Sequence, residues 1–220
     1  MGSVTHSFLR FFRGGSAPQP SKPAEVPGAA TRRSSGLAEL VRGLQNREGL
    51  SVLDLGSTSP TNIGYFTNLG HRLYNEDVVS ASVNPDFRQK THDGLERIDP
   101  EPFLRENLVY SGVKFDVVLC WDIADYLAEE LVKPTIERLH FIMNPGGILL
   151  AFFHTRDAGP HAPYYRYHIG NPETLRLQPG PPFKVQRVFN NRHVENLFRD
   201  YTSLKFFLSR DNLREVLVVR

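Results

Sequence analysis

The chain has 220 residues, 40% of them hydrophobic and 11% aromatic, with a formal net charge of +2 and a single cysteine. That length suits one α/β domain plus a tail, no apolar run approaches the roughly 18 residues of a membrane span, and the charge is too small to point to nucleic acid. Cys120 lies in the apolar run "FDVVLCW" and cannot form an internal disulfide, which indicates a buried thiol in a reducing compartment. The expectation is a cytoplasmic protein without stable membrane insertion.

Residues 1–35 carry Arg10, Arg13, Lys22, Arg32 and Arg33 against Glu25, a surplus of basic charge that leaves the remainder slightly acidic. "SAPQPSKPAEVPGAATRRSSG" has no hydrophobic period and reads as a disordered linker, so residues 1–35 are expected to be a tail and 36–220 a domain. Before it, "HSFLRFFR" groups Phe8, Leu9, Phe11 and Phe12 with two arginines. A frayed terminus is the plain reading, and a membrane-surface or partner-docking segment the sharper one. The Arg- and Ser-rich leader also resembles a transit peptide.

From Leu37 the periods alternate. "GLAELVRGLQNR" places Leu37, Leu40, Val41 and Leu44 on one helical face, and the strand "LSVLDLG" follows. Ser59 and Pro60 supply an N-cap and first-turn proline for the helix "PTNIGYFTNLG", and "HRLYNEDV" is the next strand. Residues 79–113 are polar and proline-interrupted, so a third strand there is weak. "KFDVVLCWD" reads as a strand buried on both faces, "EELVKPTIERLHFIMN" as a helix and "ILLAFFHT" as another buried strand. Residues 156–184 form an excursion rich in proline and aromatics. The helix "NNRHVENLFRDY" and a hairpin of "SLKFFLS" and "REVLVVR" close the chain.

This alternation predicts a doubly wound α/β sheet, seven-stranded and mostly parallel, ending in an antiparallel hairpin. "FDVVLCWDIADYLAEELVKPTIERLHFIMNPGGILLAFF" resembles the second half of class I S-adenosylmethionine-dependent methyltransferases, where an F-D-x-V strand leads to a helix, a P-G-G turn and a further strand. "VLDLGS" and the terminal hairpin stand where that family has its first and last two strands. The resemblance spans residues 50–220 and implies S-adenosylmethionine as cofactor, with a small-molecule or protein methyl acceptor.

By that resemblance Asp54 and Gly56 match the first-strand motif, and the turn at Ser57 and Ser59 approaches the methionine part of the cofactor. Asp77 matches the acidic residue that takes the ribose hydroxyls, and Glu76 is the neighbour that could replace it. Ser57, Thr58, Ser59 and Pro60 stand where the family usually has further glycines. Trp121 falls on the cofactor side of the fourth strand's end. Asp122 is a candidate base or helix cap, and Asp125 and Tyr126 take positions often held by Glu and His. Asp99 could grip adenine but reads more naturally as a turn residue before proline. His154, Tyr164 and Tyr165, with Tyr167, face the acceptor side. His154, His161 and His168 recur every seven residues without a carboxylate or cysteine pattern, so no metal is expected. Two other classes stay open: a methyltransferase-like binding or scaffold protein without activity, and a nicotinamide-dependent oxidoreductase, which lacks its G-x-G-x-x-G spacing here.

Overall fold

A computed structural model describes residues 30–90, 92, 94, 96–156, 164–208 and 211–220. Its elements in chain order are β1 (Ala30–Arg33), α1 (Ser35–Leu44), β2 (Ser51–Asp54), α2 (Pro60–Asn68), β3 (Arg72–Asn75), α3 (Val78–Ser82), a 3-10 turn (Pro85–Phe87), β4 (Arg88–Lys90), β5 (Glu96–Ile98), α4 (Pro100–Glu106), β6 (Phe115–Trp121), α5 (Ile123–Tyr126), α6 (Glu129–Ile142), β7 (Met143–His154), β8 (Tyr165–Asn171), β9 (Thr174–Pro179), α7 (Asn191–Leu197), β10 (Ser203–Phe207) and β11 (Leu213–Val219).

The central sheet has six strands in the order β10-β11-β7-β6-β2-β3. β3, β2, β6 and β7 run parallel, whereas β11 is antiparallel to both β7 and β10, so the doubly wound core and closing hairpin are both present. Side chains alternate across the central strands. Val117, Leu119 and Trp121 pack on one face with Leu37, Leu40 and Phe66; Val118 and Cys120 pack on the other with Phe103, Ile136 and Phe198. Burial on both faces explains why β6 and β7 read as near-continuous apolar runs. No helix among the described residues is long and apolar enough to cross a membrane.

Two expectations change. Among the described residues no seventh strand joins the sheet: β4 and β5 form a separate two-stranded antiparallel ribbon. Arg88, Gln89, Lys90, Glu96 and Arg97 are exposed, and such a polar set cannot lie in a sheet covered on both faces. Ordered structure also starts before residue 36, because β1 pairs with β9, from Ala30 opposite Leu177 to Arg33 opposite Thr174. Residues 1–29, with the "HSFLRFFR" segment and most of the expected linker, lie outside the described residues, whereas the end of that linker forms β1 and the start of α1.

β1 is anchored by charge. The buried Arg32 donates from Nε to Asp211 at 2.8 Å, pairs through Nη2 with Glu215 at 2.9 Å and lies 5.0 Å over the Phe152 ring. Glu215, itself buried, accepts from Ser34 Oγ at 3.0 Å and from the Gly36 backbone N–H at 2.6 Å. A Cβ at Gly36 would lie 2.7 Å from Leu150 Cδ1 and 3.0 Å from Glu215 Oε2, so a larger residue here would push these two side chains aside. The excursion after β7 is also ordered in part, since β8 and β9 form a hairpin that joins β1 in a three-stranded antiparallel sheet beside α2.

Candidate functional site

β2 lies between β3 and β6, with all three parallel. The chain winds outward from β2 to β3, then returns to β6 on the other side, so the strand order reverses at β2. In open α/β sheets, ligands are met outside the carboxyl ends at this point. Asp54, Asn75 and Trp121 end these strands.

Asp54 is 1% exposed and accepts three hydrogen bonds: from Gly56 N (3.1 Å) and Trp121 Nε1 (2.6 Å) on Oδ1, and from Asn62 Nδ2 (2.7 Å) on Oδ2. Burial raises its carboxyl affinity for protons, and the three donors oppose that shift. Asn62 also donates to the Tyr167 carbonyl at 3.0 Å and accepts from Ile169 N at 2.8 Å, pairing with the edge of β8 as a strand would. A Cβ at Gly56 would meet Trp121 Cδ1 at 3.1 Å, so this glycine makes room for an indole.

The turn is also tied to the end of β3. Ser57 Oγ donates to Asp77 Oδ2 and Thr58 Oγ1 to Asn75 Oδ1, each at 2.5 Å, while Asn75 Nδ2 donates to the carbonyls of Asp54 (3.0 Å) and Gly56 (2.7 Å). Asp77 Oδ1 caps α3 by accepting from Ser80 N at 3.0 Å. Glu76 faces elsewhere: its carboxylate accepts from Leu108 N (2.8 Å) and Tyr110 OH (2.7 Å), tying down the chain before β6. Ser59 caps α2 through Asn62 N and contacts His168 Nδ1 at 2.7 Å.

The end of β6 holds a second buried cluster. Trp121 has φ +46°, a rare conformation for a bulky residue, and its ring stacks on Tyr167 at 5.1 Å and 11°. Tyr167 OH donates to Asp122 Oδ2 at 2.8 Å; Asp122 Oδ1 finds no donor among the described residues. With its carboxylate fully buried, Asp122 has its pKa pushed up to about 7, opposed by His154 and the Tyr167 hydrogen bond. Asp122 caps no helix end with its side chain. Asp125 Oδ2 accepts from the His154 backbone N–H at 2.6 Å and sits 2.7 Å from its Nδ1, fixing the orientation of that imidazole. Tyr164 is buried edge-on against Tyr126 (4.9 Å) and Phe183 (5.1 Å), while Tyr165 is half-buried at the start of β8.

The structure therefore brings together Asp54, Gly56, Ser57, Ser59, Asp77 and Trp121 on one side and Asp122, Asp125, His154 and Tyr164 on the other, with Tyr167 linking the two. The histidine series does not converge, since His154 lies beside Asp125 and His168 bonds Ser59 and Gln178, while His161 lies outside the described residues. Asp99 caps α4 before Pro100. Burial pushes the Cys120 thiol up, so it stays protonated. Asn62 and Asn75 went unnoticed in the sequence. Asn62 lies four residues before the buried Phe66, so their shared helical face was the available signal.

No family model matches the chain, and no curated protein matches it either. Among solved structures, it is similar to a Burkholderia thailandensis 1,6-didemethyltoxoflavin-N1-methyltransferase with bound S-adenosylhomocysteine, at 12% identity and a TM-score of 0.45 over 84% of this chain and 76% of that one. A magnesium protoporphyrin IX methyltransferase from Synechocystis PCC 6803, also with bound S-adenosylhomocysteine, is similar at 14% identity and a TM-score of 0.49 over 84% and 79%. An O-methyltransferase family protein from Burkholderia thailandensis gives 14% and 0.43 over 84% of this chain but 47% of that one. Likenesses this low leave ligand and activity to be argued from the site itself.

Proposed function

We propose that this chain is a S-adenosylmethionine-dependent methyltransferase whose cofactor lies along the carboxyl ends of β2, β3 and β6. Its turn would hold that cofactor more weakly than a glycine-rich one. The observation that carries the reading is Asp77, a half-buried carboxylate just beyond β3 at the switch point, joined across to the β2–α2 turn through Ser57. A carboxylate can accept two hydrogen bonds from a vicinal diol, which suits Asp77 to the ribose end. The methionine end, along Gly56, Ser57 and Ser59, is narrowed by the Trp121 indole.

The cofactor supplies a methyl group activated on a sulfonium centre; positioning dominates an in-line displacement, and no enzyme nucleophile is required. Asp54 acts through others, holding the turn and Trp121 in place. On the acceptor side Asp122 would take a proton from a protic acceptor, a reading supported by its raised pKa, with the imidazole of His154 held by Asp125. Tyr164 and Tyr165 would flank that acceptor, a small molecule or a protein side chain.

A second reading is favoured by one specific observation: Asp54 and the turn are hydrogen-bonded by the protein's own groups. That pattern suits a methyltransferase-like scaffold that holds no cofactor. Isothermal titration separates the two. With S-adenosylmethionine or S-adenosylhomocysteine, the wild type gives saturable heat. Asp77→Ala weakens binding by about one to two orders of magnitude, as expected for a hydrogen bond to a charged acceptor worth roughly 1.5 to 3 kcal/mol. Glu76→Ala, whose carboxylate serves Leu108 and Tyr110, changes affinity little. Absence of heat at millimolar concentration favours the scaffold.

A further inference from the structure

We infer that Ser57 sets the affinity of the site by competing with the ligand for Asp77: its hydroxyl occupies the carboxylate edge that a ribose diol must take. The inference rests on the function proposed above and concerns how that site admits its ligand.

Ser57 belongs to the turn after β2, and Asp77 follows β3. A ligand held by both the turn and Asp77 would lie between the two, and the hydrogen bond from one to the other would cross its path. Ser57 Oγ donates to Asp77 Oδ2 at 2.5 Å. Asp77 Oδ1 is already drawn toward α3 by Ser80 N at 3.0 Å, which fixes the carboxylate plane. A carboxylate has about four lone-pair sites, but a vicinal diol needs one on each oxygen from the same side.

A second hydroxyl strengthens the closure. Thr58 Oγ1 donates to Asn75 Oδ1, while Asn75 Nδ2 holds the carbonyls of Asp54 and Gly56. The turn is thus fastened to the β3 end by two adjacent hydroxyls, at positions where glycine would offer none. A ligand that binds only the open form loses apparent affinity in proportion to the fraction that is open. Asp77 is therefore both the ligand's partner and the post to which the turn is tied.

Removing the hydroxyl should tighten binding, a direction opposite to the loss usual when a polar side chain is deleted from a site. Ser57→Ala and Ser57→Thr are compared with wild type by calorimetry using S-adenosylhomocysteine, adenosine and 2′,3′-dideoxyadenosine, after confirming that all three proteins melt alike. Ser57→Ala should bind S-adenosylhomocysteine and adenosine about three- to tenfold more tightly, an increment matching one modest hydrogen bond exchanged. Ser57→Thr, which keeps the hydroxyl, should match wild type, and dideoxyadenosine, which has no diol, should gain nothing from Ser57→Ala. Unchanged or weaker binding by Ser57→Ala where wild type binds overturns the role of Ser57 and leaves the proposed function standing. An equal gain for dideoxyadenosine also overturns it, because the diol would then not be what competes. Failure of all three proteins to bind any probe at millimolar concentration removes the proposed function, and this inference with it.

Discussion

Asp54 and Asp122 each lie at the carboxyl end of a central strand and are each 1% exposed, yet their surroundings differ. Asp54 receives three donors, from Gly56, Asn62 and Trp121; Asp122 receives one, from Tyr167. A buried carboxylate ringed by donors is a structural pin, because each donor would itself be orphaned without it. A buried carboxylate with one donor is held against its own solvation, and burial pushes Asp122 up to about 7. The turn after β2 is thus finished chemically by the protein itself, whereas the end of β6 keeps proton-accepting capacity in reserve. Tyr167 joins them, donating to Asp122, stacking on Trp121 and giving its carbonyl to Asn62.

The largest effect should come from breaking the saturated member. Asp54→Ala leaves the buried Gly56 N–H and Trp121 Nε1 unpaired and Asn62 Nδ2 with the Tyr167 carbonyl alone, and should cost about 3 to 5 kcal/mol, read as a melting temperature at least about 6 °C lower or as insoluble protein. A loss of only a degree or two would mean that the Asp54 network is incidental. Removing residues 1–35 should come next, since it deletes β1 and strips the buried Glu215 of Arg32, Ser34 and with it most of its donors. Removing only residues 1–29, which keeps β1 with Arg32 and Ser34, should cost less. Equal stability of the two truncated forms would contradict the anchoring role of Arg32.

Asp122→Asn should act in the opposite direction. A carboxyl group whose pKa is raised on folding contributes stability that is present at low pH and lost as pH rises through about 7. Replacing it with a neutral amide that still accepts from Tyr167 should raise the melting temperature by a few degrees at pH about 8, with a smaller gain at pH about 5. A gain that does not depend on pH would show that Asp122 does not titrate as described. Tyr167→Phe should be the mildest change, costing about 1 kcal/mol and moving the apparent pKa of Asp122 further upward, as read from the pH dependence of melting.

The sequence made the winding legible because β6 and β7 are buried on both faces and α1, α2 and α6 show helical periods and clear stops. A third strand could not be placed within residues 79–113 because short polar segments carry no hydrophobic pattern, and a ribbon outside the sheet looks the same as a weak strand within it. β1 was hidden for a different reason. Its stability comes from Arg32 meeting Asp211 and Glu215 some 180 residues away, and no local pattern reports such a contact. Within the site, Asp54, Asp77 and Trp121 could be placed from strand ends. What could not be read was that Ser57 and Thr58 bond across to Asp77 and Asn75, because a hydroxyl's partner depends on the register between neighbouring strands.

The central claim, that a nucleoside cofactor enters the crevice between the β2 turn and the ends of β3 and β6, has a built-in reporter. The chain has one tryptophan, and Trp121 places its indole against Gly56 with Nε1 on Asp54. Its indole N–H gives a single cross-peak in a nitrogen-15 proton correlation spectrum. Titration with S-adenosylhomocysteine should move that peak saturably in the wild type, and the same shift in Asp77→Ala should require about ten- to a hundredfold more ligand. A peak that stays still in both proteins through millimolar ligand would contradict the claim.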